Sequence, residues 1–301
     1  MISNRHDQHM DTLAGLFIPL ITPFTPEGDL AEDALEQLAR RVLDDGATGI
    51  VALGTTAEAP SLTDSEKSRV LAICSRVCRE RATPLIAGAG TNNTARSAAE
   101  LAALTEYPDV RAALVVVPYY IRPGEAGVIE HFRTLAASSP VPLVIYNIPY
   151  RTGQQVSWRA MARLAEIPGV AGVKHAVGAI DPDTIDMMAS RPAGFSVLGG
   201  DDPVISPLLG LGADGGILAS AHVSTREFSR LISLWRDGKA ADAREIGHQL
   251  APLSRALFAE PNPVVIKSVL HKMGQIPSSS VRLPLLAASP QSTDDALRVV
   301  V

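Results

Sequence analysis

Cysteine is nearly absent from this chain of 301 residues, with only Cys74 and Cys78 present. The two lie four apart in a helical stretch, so they share one helix face, one turn apart. A lone pair is too few for a structural zinc site and gives no disulfide framework of a secreted protein. They read as two reduced core thiols of a cytoplasmic protein. Metal-ligand spacing is missing too. The seven histidines (6, 9, 131, 175, 222, 248 and 271) are scattered, without HExxH or a similar pattern, so no metal is expected. There is no excess of positive charge: the net charge is −5, which gives no reason to expect a nucleic acid partner. No apolar run reaches the roughly 18 residues of a membrane-spanning helix. Residues 1–14 are polar and lack the apolar core of a signal peptide. They read as a loose arm before the fold.

Lysine is scarce as well, with only Lys67, Lys174, Lys239, Lys267 and Lys272. Four of these stand in helical or loop contexts. Lys174 alone directly follows a strand-like run, Gly169-Val-Ala-Gly-Val173. A second short apolar run, Leu143-Val-Ile145, leads to Tyr146, with Arg151 five residues on. Short apolar runs bounded by Gly and Pro read as buried parallel strands. The C-terminal end of such a strand is where α/β enzymes place their chemistry. A lysine there is either a Schiff-base nucleophile or a cation emerging to pair with a carboxylate. The first role needs a site that favours the free amine, since at the reference pKa of ~10.4 only about 1 lysine amine in 2,500 is free at pH 7.

What the chain does have is regular alternation. Strand-like runs begin at Leu16, Gly49, Pro84, Ala112, Pro142, Val170, Phe195 and Gly215. Each is followed by a helical pattern. Leu30 to Asp45 carries Leu35, Leu38, Ala39, Val42 and Leu43 on one stripe, and Thr63 with Glu66 forms a capping-box pattern before the next helix. Eight such units match a (β/α)8 TIM barrel, for which about 250 residues is typical. A doubly wound sheet is the rival. Its phosphate loop has only a weak counterpart in Gly88-Ala-Gly-Thr-Asn-Asn93, better read as a tight strand-to-helix turn. After residue 238 two helical patterns, Ala240 to Phe258 and Pro263 to Met273, follow without an intervening strand. The expected organisation is an arm at 1–14, a barrel at 15–238 and a C-terminal helical domain at 239–301, with a short last helix from Asp294.

In a barrel the strand ends face one shared cavity. Strand two delivers Gly54-Thr-Thr-Ala-Glu58, strand four Pro118-Tyr-Tyr120, strand five Tyr146 and then Arg151, strand six Lys174, and strand eight Gly216 and Ile217. Thr55 and Thr56 offer hydroxyls and N–H groups for a carboxylate. Tyr146 can move protons, and Arg151 can clamp a carboxylate through paired hydrogen bonds. Taken singly, each has an ordinary reading: the threonines as caps, Tyr119 and Tyr120 as core or interface aromatics, Arg151 as a surface residue. Their joint placement at one barrel face favours an enzyme that activates a 2-oxo acid.

These residues together resemble the dihydrodipicolinate synthase/N-acetylneuraminate lyase family over about residues 15–284. The resemblance rests on Gly54-Thr-Thr-Ala-Glu58, Pro118-Tyr-Tyr120, Tyr146-Asn-Ile-Pro149, Gly172-Val-Lys174 and Glu260-Pro-Asn-Pro263, in the family's order and spacing. It implies that Lys174 binds pyruvate as a covalent imine, with no other cofactor. It implies a proton relay of Thr55, Tyr146 and Tyr120, with Tyr120 reaching in from a neighbouring subunit of a homotetramer. Thr56 would hold the pyruvate carboxylate, with Gly54 and Ile217 lining the pocket. The Arg151-Thr-Gly153 signature resembles the synthase branch, which condenses pyruvate with aspartate 4-semialdehyde in lysine biosynthesis. In that branch the arginine binds the semialdehyde's carboxylate. The alternatives are a sister aldolase acting on a 2-keto-3-deoxy sugar acid or N-acetylneuraminate, and a non-catalytic barrel that senses a keto acid. Ala57, His175, Val177 and Leu218 depart from the family pattern and bear on the second substrate. Members inhibited by lysine carry His and Glu where Lys67 and Arg96 stand, so the resemblance implies weak or absent lysine feedback.

Overall fold

The computed structural model describes residues 13–301. Apart from Leu13 and Ala14, the expected N-terminal arm lies outside the described residues. Eight parallel strands close on themselves in sequence order, β1 pairing with both β2 and β8. They are β1 Gly15–Pro19, β2 Gly49–Ala52, β3 Leu85–Gly88, β4 Val110–Val116, β5 Leu143–Asn147, β6 Val170–His175, β7 Ser196–Gly199 and β8 Gly215–Ile217. The helices that follow the strands are α1 Glu32–Asp44, α2 Asp64–Arg81, α3 Thr94–Ala102, α4 Gly124–Ser138, α6 Trp158–Ala165, α7 Pro182–Ser190, α8 Ile205–Gly210 and α9 Thr225–Arg236. One four-residue helix, α5 Pro149–Thr152, lies inside the loop between β5 and α6. The fold is the expected (β/α)8 barrel.

Strand side chains alternate between two faces, and the core divides accordingly. Phe17, Val51, Ile86, Leu114, Val144, Leu198 and Ile217 fill the barrel interior, and Leu13 packs against them. The residues next to them, among them Ile18, Ile50, Leu85, Val115 and Ile145, face outward onto the helices. The helix faces match their patterns. The expected stripe of α1 is buried. The α2 capping box is complete, Thr63 Oγ1 accepting from Glu66 N at 3.2 Å and Glu66 Oε2 accepting from Thr63 N at 2.8 Å. Cys74 and Cys78 are free thiols on the buried face of α2.

Beyond α9 the chain forms a helical region of α10 Ala240–Leu257, α11 Val264–Lys272 and α12 Pro290–Arg298. α10 packs on α8 and α9, and α12 on α10 and α11. α12 begins four residues earlier than the sequence pattern suggests. Ser289 caps it through a hydrogen bond from Ser292 N, and Pro290 occupies the first turn, a favoured helix start. Among the described residues no helix is long and apolar enough to cross a membrane.

Candidate active site

Tyr146 and Lys174 are register partners on β5 and β6. Strand alternation turns both into the barrel, at the end where the βα loops meet. Both are buried, at 7% and 6% exposure, and Lys174 Nζ stands 4.2 Å from the centroid of the Tyr146 ring. The space around the lysine is kept by β7. A Cβ on Gly200, the residue after β7, would lie 2.8 Å from Lys174 Cε, so glycine there leaves the lysine arm in its place.

The residue pair one step along each strand faces the other way. Asn147 and His175 are also register partners, and they line an outer cleft with Gln155, Trp158, Val177 and Asp181. His175 Nε2 stands 2.9 Å from Thr184 Oγ1, and that hydroxyl donates to Asp181 Oδ1 at 2.6 Å. The proton between them therefore belongs to Nε2. Burial pushes the imidazole down to about 4, so it is neutral at pH 7. Leu218 likewise packs in the outer core. Three of the four departures from the family pattern, His175, Val177 and Leu218, thus lie outside the barrel interior rather than beside the lysine. Ala57 is buried within the β2 loop, its carbonyl accepting from Thr22 Oγ1 at 2.7 Å.

That loop carries Gly54, Thr55 and Thr56 into a single 3-10 turn, Thr55–Ala57, closed by Glu58 in the left-handed conformation at φ +54°. Left-handed backbone is uncommon for a side chain other than Gly, Asn or Asp, and here the side chain pins it. Glu58 Oε1 accepts from Lys267 Nζ at 2.8 Å, and its Oε2 from Arg282 N at 2.9 Å. Lys267 and Glu58 are 0% and 2% exposed as side chains. Phe24 packs against both cations, its ring centroid 4.1 Å from Lys267 Nζ and 4.3 Å from Arg282 Cζ. Burial lowers Lys267 to about 8, against the pull of Glu58. Thr56 Oγ1 accepts from Asn262 Nδ2 at 2.9 Å.

Two carboxyls at the end of β7 complete the surroundings of Lys174. Asp201 accepts from Tyr150 Oη at 3.2 Å and from Gly178 N, tying together the loops after β5, β6 and β7. Asp202 is buried, accepts from Ser220 N and is raised to about 6, chiefly by burial. Both feel the positive charge of Lys174, which favours their ionised forms. Neither was singled out from the sequence, although Gly199-Gly-Asp-Asp202 follows a strand-like run just as Lys174 does.

Arg151 lies exposed on α5 beside Tyr150. Tyr120 is far from buried, at 86% exposure, with a left-handed φ of +71° and its N–H donating to Thr152 O at 3.0 Å. Tyr119 and Ile121 beside it are exposed as well. Within one chain, Tyr120 is therefore not buried with the Tyr146–Lys174 pair. Ile217 is buried in the barrel interior at the end of β8. Among the described residues no group of three or more metal-ligating side chains comes together.

The profile of the dihydrodipicolinate synthetase family matches residues 12–300. A 4-hydroxy-tetrahydrodipicolinate synthase of Clostridium acetobutylicum is 38% identical over 277 residues, covering 92% of this chain and 96% of its own. The synthase of Moorella thermoacetica is 38% identical over 275 residues, covering 91% and 93%. Among solved structures, the chloride-inhibited dihydrodipicolinate synthase of Acinetobacter baumannii, complexed with pyruvate, superposes with a TM-score of 0.91 at 33% identity, covering 96% of this chain and 98% of that one. The enzyme from Aquifex aeolicus gives 0.90 at 35% identity, covering 95% and 97%. With a lysine and a tyrosine buried side by side at the end of the barrel, this chain is a lyase-type enzyme and belongs to the dihydrodipicolinate synthetase family.

Proposed function

We propose that this enzyme condenses pyruvate with L-aspartate 4-semialdehyde to 4-hydroxy-tetrahydrodipicolinate, a cytoplasmic step of lysine (diaminopimelate) biosynthesis. The observation that carries this reading is the buried Lys174 amine over the Tyr146 ring. The amine adds to the keto carbon of pyruvate, and loss of water leaves an imine. The protonated imine acidifies the pyruvate methyl group, and loss of a methyl proton gives an enamine. The enamine carbon attacks the aldehyde carbon, and hydrolysis or internal amine attack frees Lys174. Each step moves a proton, and Tyr146, whose ring packs against the lysine, is the residue assigned to carry it. Thr55 and Tyr120 complete the relay. The strong exposure of Tyr120 with its apolar neighbours supports its entry into the site of an adjoining subunit in a homotetramer.

Thr56 and the Gly54 backbone receive the pyruvate carboxylate, with Ile217 as the apolar wall. Arg151, exposed on α5, binds the carboxylate of the second substrate. Three of the four departures from the family pattern face the helices, so they leave the interior surface compatible with the synthase reaction. Lys67 and Arg96 put cations where lysine-inhibited relatives carry His and Glu, so sub-millimolar lysine is expected to leave more than half the activity.

The deciding experiment follows pyruvate consumption with aspartate 4-semialdehyde as the only acceptor, wild type beside Arg151→Ala. Turnover that falls roughly 100-fold or more in the variant is expected from loss of a bidentate carboxylate contact. No turnover in the wild type, with borohydride still fixing pyruvate on Lys174, would move the second substrate to the sugar-acid aldolases of the same chemistry.

A further inference from the structure

The Glu260-Pro-Asn-Pro263 segment is a sequence signature with no part in the chemistry described so far. It leads into α11, and the fold lays it against the turn that holds Thr55 and Thr56. Asn262 donates to Thr56 Oγ1 at 2.9 Å. Five residues on, Lys267 pairs with Glu58 at 2.8 Å. The helical region therefore grips this turn twice, by a side chain at its middle and by the residue that closes it.

Polarity gives the first contact a consequence. A threonine hydroxyl has one hydrogen to give and lone pairs to receive. Asn262 gives a hydrogen to Thr56 while its own Oδ1 is buried without a donor, so in this arrangement the Thr56 hydrogen remains for another acceptor. Among the described residues, Thr56 Oγ1 donates to no protein group, although Thr56 is buried. A buried donor without an acceptor is costly, and an anionic acceptor from the substrate would relieve it. The segment that aims Asn262 is itself fixed. Glu260 Oε1 accepts from Ser289 N at 2.9 Å, and Pro263 O from Lys267 N at 2.9 Å.

We propose that Asn262 is a positioning residue for the keto-acid carboxylate: its amide sets Thr56 as a donor, and through it the C-terminal helical region sets the affinity for pyruvate. This rests on the reading that Lys174 and Thr56 bind pyruvate.

The test compares Asn262→Asp with Asn262→Ala in the full chain, by steady-state kinetics and by borohydride trapping of pyruvate at graded concentrations. Aspartate keeps the shape and reverses the polarity, because its carboxylate takes the Thr56 hydrogen. The expected result is a KM for pyruvate raised roughly 10- to 100-fold in Asn262→Asp, the range for losing a hydrogen bond to a charged group, with kcat changed much less. Asn262→Ala should show a smaller rise. Trapping of methyl pyruvate, which has no carboxylate charge, should be far less sensitive to either change. A purely structural role would move both ligands and kcat together, and that result overturns the inference. Wild-type KM in a folded Asn262→Asp overturns it too, while leaving the Schiff-base reading intact. Failure of the wild type to trap pyruvate at all overturns both. Should Asn262→Asp fail to fold, the KM of Asn262→Ala and its ratio for the two ligands decide alone.

Discussion

Lys174 Nζ lies over the face of Tyr146, 4.2 Å from the ring centroid, because the two residues are register partners on adjacent parallel strands. The ring and the hydroxyl of Tyr146 then have separable duties. The ring packs against the lysine and shields it from water, while in the proposed mechanism the hydroxyl moves protons. Tyr146→Phe is expected to keep borohydride trapping of pyruvate and to lose roughly 100- to 1,000-fold in turnover, the usual scale of general acid–base assistance. Near-normal turnover in that variant would take Tyr146 out of the relay. Lys174→Ala should lose both trapping and turnover while its melting temperature stays near that of the wild type.

Gly200 offers a test of how tightly the lysine arm is held. Its φ is not left-handed, so an added methyl group meets a question of space alone, at 2.8 Å from Lys174 Cε, 3.0 Å from Lys174 Cγ and 3.0 Å from Ala176 Cβ. The lysine chain is flexible and yields first, while Ala176 has only to give by a few tenths of an ångström. Gly200→Ala should therefore cost little stability, within about 1–2 kcal/mol, yet slow imine formation at least ~10-fold. Stopped-flow or quenched trapping would read the rate, and an unchanged rate would show that the amine tolerates a second position.

Much of this architecture is legible in the sequence because it depends on local pattern. The eight units, the stripe of α1 and the Thr63–Glu66 capping box are short-range features, and each appears where the pattern places it. The strand-end rule brings Tyr146 and Lys174 to one place because parallel register makes them neighbours. The same rule, applied to Gly199-Gly-Asp-Asp202, points to two carboxyls that the reading passes over. The Ser289 and Pro290 start signals of α12 are passed over too. α5 is only four residues long and carries no periodicity to read. The Glu58–Lys267 pair is of another kind. Its partners are 209 residues apart, and no local pattern announces which buried lysine will find which carboxylate.

That pair predicts a non-additive mutant cycle. Lys267→Met leaves the Glu58 carboxylate buried without its cation, and breaking a buried pair in this way costs about 3–5 kcal/mol. The Glu58→Gln, Lys267→Met double variant removes both charges and should recover a substantial part of that loss. Urea midpoints of the four proteins measure the coupling. Simple addition of the two single losses would mean that the ion pair contributes nothing beyond its packing. Because Glu58 closes the Thr55–Ala57 turn, the singles should also raise the KM for pyruvate.

Subunit contact at the exposed Tyr119-Tyr-Ile121 run gives a prediction independent of the lysine. If Tyr120 completes the site of an adjoining copy, a charge at Ile121 should separate the copies and remove the relay together. Ile121→Asp is expected to lower the assembly mass in light scattering and to reduce turnover at least ~10-fold. Tyr120→Phe should reduce turnover with the assembly intact. Loss of assembly without loss of turnover would confine the whole relay to one chain.

Two carboxyls shifted in opposite directions should shape the acid limb of stability. Arg282 donates to both oxygens of Glu66, at 2.6 and 2.8 Å, and with the Thr63 contacts holds its carboxyl down at about 2. In the unfolded chain a glutamate titrates near ~4.3. The folded value is depressed, so the stabilisation is complete above about pH 4.3. It drains away as pH falls to about 2. Asp202 acts the other way. Burial raises it to about 6, so its charge costs stability above that pH, and the cost is relieved as pH falls from about 6 towards the unfolded value of ~3.9. Removing the first effect with Arg282→Leu should flatten the loss between about pH 4 and 2. Removing the second with Asp202→Asn should abolish the relative gain between about pH 6 and 4. Urea unfolding free energies taken across this range separate the two windows. A wild-type curve that Arg282→Leu merely displaces, with its slope below pH 4 unchanged, would show that the Glu66 pair is not what fails in acid.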